Sequence, residues 1–593
     1  MIEKLTGFAG ALAVIGSAAY VSIAIAGLLG SASRPDLART AVVAVVLVVA
    51  IALPRPTGTG WRPGSWAGIA LGLLGLVGAD LVAGDGSVGA GQIGGLIGAA
   101  VTLPVLGRAW SDEGFPRLLE IGFLVVFSLV TVALVRSILD GGALGHDESA
   151  YALKARAWIA ATPETGWQLH RAPLNSVAAI PVVWFTESEV ALRIVAAALA
   201  VGSLAAVGIV ASRLGGRWAG FVAVATVGAS LSYLRRGSEF LTDVPAAGLL
   251  LVVVWLVLQI VESPDESKSL LWWLAAAVVA AFYMRYQSSL AIVGIVVGSL
   301  VAWPEVVSRL RKSLAWATGL VLAALVPHLI WATVVTGRPW GVVLQTGDAA
   351  GREFLGEGLV DYLRMFPLDL AGPVGAIMAI AGIGWLLRRS AARLRGSRDL
   401  LNSFALFALI IVVVSVVPLG LVAHGEPRFV FFPMWLLIGC GSVALVGLGQ
   451  RLHQPYQAVA VSLAALLWLP LFVETADRVD RNAERRGETF AVLADASNSI
   501  EHDGHGTCAV LTTYRPQVTW YSACSSELLK LDGDSIGVEL LDADREYVLL
   551  FENGKRQPAD EVIIEHLDLS GAQTVPDLND GIGDATIVEI SED

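Results

Sequence analysis

The chain has 593 residues, 55% hydrophobic and 16% charged, with a mean hydropathy of +0.68; a charged fraction this far below the ~25% of soluble domains excludes a purely soluble protein. The formal charge of −12 is unevenly spread, with 25 acidic and 9 basic side chains in residues 475–593 against 27 and 31 in residues 1–474. Neither part has the dense basic surface of a nucleic-acid binder, and three cysteines exclude a disulfide-built scaffold.

A membrane-spanning helix needs about 20 mostly apolar residues. Such segments are expected at 7–29, 38–54, 66–84, 89–107, 118–139, 189–211, 217–234, 243–261, 269–284, 287–303, 313–336, 365–387, 401–423, 428–448 and 455–474. The first lacks a small-residue cleavage site and is read as retained. The pattern predicts an all-α polytopic membrane protein of roughly 15 transmembrane helices. With an inside start, the loops carrying Arg55/Arg62, Arg309/Arg311/Lys312 and Arg388/Arg389/Arg393/Arg395/Arg398 all fall in the cytoplasm, as positive charge in short loops should. The loops 140–188 and 337–364 and the acidic C-terminal region then lie outside. Expected domains are extra helices over 1–117, a membrane domain over 118–474 and an extracytoplasmic domain over 475–593.

Chemistry concentrates after the span 118–139, where GHDESAY places Asp147 and Glu148 at the water–membrane boundary. Burial and like charge there would raise one pKa toward that of a working general base. The other reading is a helix N-cap. Further on, Arg171, Arg235, Arg236, Arg285 and Arg428 stand near outer span ends, against the positive-inside trend. A phosphate would partner them, since guanidinium matches phosphate oxygens bidentately; snorkelling toward anionic lipid is the alternative. In the loop 337–364, Trp340 would stack on a sugar ring or anchor at the interface.

After Glu474 the composition changes. TADRVDRNAERRGETFAVLADASNSI reads as an amphipathic helix, and TCAVLTTY, QVTWYSA, YVLLFEN and ATIVEI read as strands, giving a small C-terminal extracytoplasmic α/β domain. It shows no metal cluster, phosphate loop or nucleophile elbow and is assigned a supporting role, such as acceptor recognition. Cys508 and Cys524 either form a disulfide, as the outer location permits, or are two small core residues; Cys440 lies within a span.

A span followed by Asp-Glu-x-x-Tyr (Asp147, Glu148, Tyr151) resembles the GT-C glycosyltransferases, most closely the dolichyl-phosphate-mannose-protein mannosyltransferases and the lipid A aminoarabinose transferase. HRAPL at 170–174 resembles the family's basic-Pro-Pro-Leu stretch, with Ala172 at the first proline. SEVALR, opening 188–216, resembles its Glu-x-x-x-Arg span entry, and SEFLTDVPAAGLLLVVVWL at 238–256 its acidic span opening. The likeness covers roughly 118–450.

The resemblance implies a membrane enzyme that moves a monosaccharide from a polyprenyl-phosphate carrier to a hydroxyl of a lipid, glycan or protein on the outer face, with inversion. It implies Asp147 as general base with Glu148 beside it. Tyr151, His170, Arg171, Asp243, Arg235, Arg236, Arg285 and Arg428 would bind substrate, with Arg171 foremost on the phosphate. His170 and Asp243 could pair or form half a metal site, but two ligands are too few for zinc. No cofactor is required, and a divalent metal is compatible. The alternative class is a transporter or flippase for a lipid-linked substrate, which predicts charges lining a path within the spans and repeated halves.

Overall fold

The computed structural model describes residues 115–590, apart from 161, 164–170, 267–268, 344–356, 422–424, 452–453, 501–506, 533–534, 538–542, 556, 558–568, 570 and 580. The four leading expected spans lie outside the described residues, as do His170 and most of the loop that follows Trp340. The chain forms two compact units, one of Met1–Val21 and Ala41–Val126, the other of Ser22–Thr40 and Phe127–Asp593. The second carries the candidate site.

The helices follow the apolar segments in order. They are α1 (Phe115–Leu139), α2 (His146–Ala160), α3 (Leu174–Phe185), α4 (Glu189–Gly228), α5 (Leu231–Gly237), α6 (Asp243–Glu262), α7 (Leu270–Met284), α8 (Ser288–Ala302), α9 (Pro304–Arg309) and α10 (Arg311–Thr336). After these come α11 (Gly358–Met365), α12 (Gly372–Leu394), α13 (Leu400–Gly420), α14 (Phe431–Gly449) and α15 (Gln454–Ser499). Each of the eleven expected spans from 118 onward falls on helix. The expected break between the spans 189–211 and 217–234 is a kink in α4, where Gly215 and Gly216 leave helical geometry.

Among the described residues, seven helices are long and apolar enough to cross a membrane, the most enclosed being α6 and Pro427–Gly449. Lipid chains are as apolar as leucine, so close van der Waals packing has to hold such helices together. It does so at Gly441, where a Cβ would overlap the Met378 carbonyl of α12. Exposed Trp184, Trp272, Trp273 and Trp316 provide rings that suit the membrane interface.

The helix α15 runs unbroken through Glu474 and Thr475, carrying the chain from the apolar helices into the C-terminal sheet region. There β1 (Cys508–Thr512), α16 (Arg515–Ser522), β2 (Ser525–Leu528), β3 (Lys530–Asp532), β4 (Ser535–Gly537), β5 (Arg545–Phe551), β6 (Gln573–Val575) and β7 (Ala585–Ile590) follow. The five-stranded sheet has the order β2-β1-β5-β7-β6, with β1 parallel to β2 and β5, and β7 antiparallel to β5 and β6. The expected strand QVTWYSA is a correction, since it forms α16. Parallel pairing of β1 and β2 needs a crossover, Pro516 suits the first turn of a helix, and tertiary demand overrides the strand preference of Val518, Thr519 and Trp520. Cys508 and Cys524 are bonded. Closing a loop of this length contributes ~3 kcal/mol by restricting the unfolded chain.

The connection α1–α2 is pressed against α15. Gly142 sits at φ +53°, and a Cβ there would overlap Gly487 Cα. Gly142→Val is expected to lower stability by ~2–4 kcal/mol through left-handed strain and overpacking. Thermal melts of purified protein would show it, and an unchanged Tm would contradict this packing.

Candidate functional site

The loop 140–145 and the first turn of α2 hold both sequence-singled carboxylates, which point to different partners. Glu148 is 2% exposed. Its Oε1 accepts from Arg193 Nε (2.9 Å) and the Phe240 amide (2.9 Å), and its Oε2 from Arg193 Nη2 (3.0 Å) and the Gly145 amide (2.9 Å). Arg193, in the first turns of α4, also donates to the carbonyls of Gly142 (2.7 Å) and Ala143 (3.0 Å). With every lone pair occupied, Glu148 holds the loop instead of exchanging protons, which corrects the expectation that pairs it with Asp147 in catalysis.

Asp147 keeps a third of its side chain accessible. Its Oδ1 accepts from Arg171 (2.9 Å) and its Oδ2 from Arg428 (3.0 Å). Arg428 also pairs with Glu426, and Arg171 stacks over the Tyr151 ring at 5.5 Å. Asp243, buried at the start of α6, pairs with Arg285, which bonds Gln287 (3.1 Å). Phe429 lies between the Arg285 and Arg428 guanidiniums, at 5.3 and 5.6 Å. These cations border a narrow cleft of about 40 Å³ whose polar side has Asp243, Arg285 and Arg428 and whose walls include Leu250, Leu419 and Phe431. Among the described residues, no three His, Cys, Asp or Glu side chains are placed to hold a metal ion.

The structure thus brings together Asp147, Tyr151, Arg171, Asp243, Arg285 and Arg428. It separates Arg235 and Arg236, which pair with buried Glu239 together with Arg486 of α15 (2.5 Å). Among the described residues they meet Glu239 and not Asp147, so their place differs from the one expected on a phosphate. Sequence reasoning gave no role to Arg193, although the Glu-x-x-x-Arg motif contains it, and missed Glu239, Glu426 and Arg486. A cation inside an apolar span is itself the signal that would have found Arg193.

Electrostatics also depart from expectation. Burial pushes the Asp147 carboxyl up, but the Arg171 and Arg428 guanidiniums outweigh it and hold the group well below the usual carboxylate range. For Glu148, burial is likewise outweighed by Arg193, and the carboxyl is held down at about 2. Burial and Arg171 push His146 below the ordinary imidazole value. Neither acid is raised toward a working base in the resting site, because each is paired with arginine and not merely desolvated.

Two measurements check the Glu148–Arg193 pair. Unfolded, Glu148 takes up its proton near 4.5, and folded near 2, so its stabilisation is full above about pH 4.5 and is lost as pH falls through that window. Tm should fall accordingly on acidification. Arg193→Met, which leaves a buried carboxylate unpaired, is expected to cost ~3–5 kcal/mol; a Tm near wild type would exclude the pair as a structural anchor.

Known proteins supply a context for this arrangement. Residues 177–331 match the family model described as dolichyl-phosphate-mannose-protein mannosyltransferase. No curated protein matches the sequence. In structure the chain is similar to ArnT from Cupriavidus metallidurans bound to undecaprenyl phosphate, at 15% identity and a TM-score of 0.56, covering 79% of this chain and 98% of that one. The apo form of the same ArnT gives 14% identity and a TM-score of 0.52 with the same coverage. The fold of this chain is that of ArnT, and residues 177–331 match the model of the mannosyltransferase family.

Proposed function

We propose that the protein transfers a monosaccharide from a polyprenyl-phosphate carrier to a hydroxyl of a lipid, glycan or protein, on the outer face of the cell membrane, with Asp147 as general base. The observation that carries this reading is the convergence of Arg171 and Arg428 on one partly accessible carboxylate, with Arg428 and Arg285 also lining a cleft that has apolar walls. A phosphate with a hydrocarbon chain is the ligand such a site would take. The undecaprenyl phosphate bound by ArnT supports the carrier class. The disulfide Cys508–Cys524 supports an extracytoplasmic C-terminal domain, since such bonds persist in oxidising compartments. The N-terminus is then cytoplasmic.

The donor is a phosphodiester carrying one negative charge. As its anomeric C–O bond breaks, the electron pair goes to the phosphate, which gains a second charge, and fixed guanidiniums stabilise that increase. The acceptor hydroxyl attacks from the opposite face, so a single displacement inverts the configuration. Its proton passes to Asp147.

A carboxylate held this acidic is a weak base, so proton transfer follows the onset of C–O cleavage, when the attacking hydroxyl has become acidic. Donor phosphate also competes for Arg171 and Arg428. Each guanidinium it draws away lets the Asp147 pKa climb back toward its ordinary value. The reading requires no cofactor, because arginines neutralise the leaving group, and it is compatible with an added divalent metal.

The test uses radiolabelled undecaprenyl-phosphate monosaccharides, with a total envelope fraction as acceptor. Asp147→Asn is expected to lose about 10²–10⁴-fold in transfer. Normal transfer by this variant would remove the base assignment. Absence of transfer from every donor, with lipid movement across vesicles, would replace the enzyme by a flippase.

The pH profile gives a second check. Wild-type kcat/KM should show no acid limb from Asp147 within the range in which the protein stays folded. Arg428→Gln, which removes one cation, should bring a limb up toward the ordinary carboxylate range.

A further inference from the structure

The C-terminal domain meets the candidate catalytic loop through one short helix. Tyr521, at the end of α16, accepts from the Leu144 amide at 2.8 Å and donates to Glu189 Oε1 at 3.0 Å. Arg156, on α2 and 4% exposed, donates to the carbonyls of Thr519 (2.8 Å) and Trp520 (3.1 Å), and its guanidinium lies 4.7 Å from the centre of the Trp520 ring. Trp520, 3% exposed, packs in one cluster with Leu144, Tyr151 and Phe240. Gln517, with its amide oriented to satisfy both neighbours, accepts from the His146 amide at 3.2 Å and donates to the Tyr514 carbonyl at 3.3 Å.

These contacts bracket Asp147. Leu144 and His146 precede it, and Arg156 lies further along the same helix. On the other side the loop is fixed by Glu148 and Arg193. The phosphate-facing arginines are carried by different segments: Arg171 just before α3, Arg285 between α7 and α8, and Arg428 just before α14. The domain therefore bears on the carboxylate and not directly on the cations.

We infer that the C-terminal domain sets the position of Asp147, with Tyr521 as the positioning residue, fixing the loop amide of Leu144 and the head of α4 with one hydroxyl. This rests on the proposed transfer reaction for its catalytic meaning, but the geometry of the contact stands apart from it. The disulfide belongs to the same device: Cys508 opens β1 and Cys524 follows α16, so the bond closes the chain around the positioning helix. Burial pushes the Tyr521 phenol up, which keeps its proton in place for Glu189 at every pH of interest.

The test compares full-length wild type with Tyr521→Phe in lipid nanodiscs, a change that keeps the ring and removes only the hydroxyl. Three readouts are taken: amide hydrogen exchange across residues 141–160, Tm with and without undecaprenyl phosphate, and transfer from undecaprenyl-phosphate monosaccharides. The expected result is faster exchange around Leu144 and unchanged stabilisation by undecaprenyl phosphate. Donor KM should also stay unchanged, while kcat falls by ~10-fold or more, since an ångström of misplacement is costly to catalysis.

Unchanged exchange, or faster exchange with unchanged kcat, would overturn the proposal; so would a fall confined to KM. Should wild type transfer no sugar, the transfer reading fails, and exchange at Leu144 still decides whether the domain holds the loop. Arg156→Lys, which keeps the charge and loses the fork onto Thr519 and Trp520, gives the same comparison if Tyr521→Phe cannot be purified: faster exchange over 141–160 supports the clamp, and wild-type exchange overturns it.

Discussion

A carboxylate and a guanidinium buried together at the head of a membrane-spanning helix, Glu148 and Arg193, determine where everything else at this end of the bundle can be. Neither charge is tolerable there alone, because removal from water costs several kcal/mol per ion and only a partner with matching geometry offsets it. Arg193 also binds the Gly142 and Ala143 carbonyls, and Glu148 binds the Gly145 and Phe240 amides. The pair thus ties the loop after α1 to α4 and to the segment that enters α6. Successive residues on a helix are turned by about 100°. With Glu148 committed to the interior, Asp147 is rotated toward Arg171 and Arg428, and two adjacent acids acquire different work.

Around Asp147 the charges balance. Arg171, Arg285 and Arg428 are matched by Asp147, Asp243 and Glu426, so each of these three cations has a carboxylate partner in the resting site. Balance of this kind is exchangeable in a way that the Glu148–Arg193 contact is not. Asp147 is partly accessible and has two partners from two separate segments, so an incoming anion can take up a guanidinium while the acid turns to water. The buried pair has no solvent to retreat to.

Much of this was legible in the sequence because the physics behind it is local. Apolar length marked every described span, and the break in α4 was visible as SRLGG. Asp147, Arg171, Arg285 and Arg428 stood out as charges at span ends, the family resemblance added Tyr151 and Asp243, and the structure brings them together. What the sequence hid depends on partners distant along the chain. Arg235 and Arg236 look like Arg171 in isolation; only the placement of Glu239 shows that they gather on a different carboxylate, which they share with Arg486. QVTWYSA has the residues of a strand, and only the parallel pairing of its neighbours makes it a helix. The lowered carboxyl pKa values follow from the same cause, since burial is readable from hydropathy and the identity of a salt-bridge partner is not.

The hydrogen bond from Leu144 to Tyr521 joins residues 377 positions apart. A ribosome adding about 5–20 residues per second would need on the order of 20–75 seconds to make the chain between them. For that interval the loop bearing Asp147 has its arginine anchor from the first part of the chain but not its contact from the last. Completion of the candidate site thus waits on residues made long after its loop, and a nascent chain would insert the helices between them before that loop is fully held.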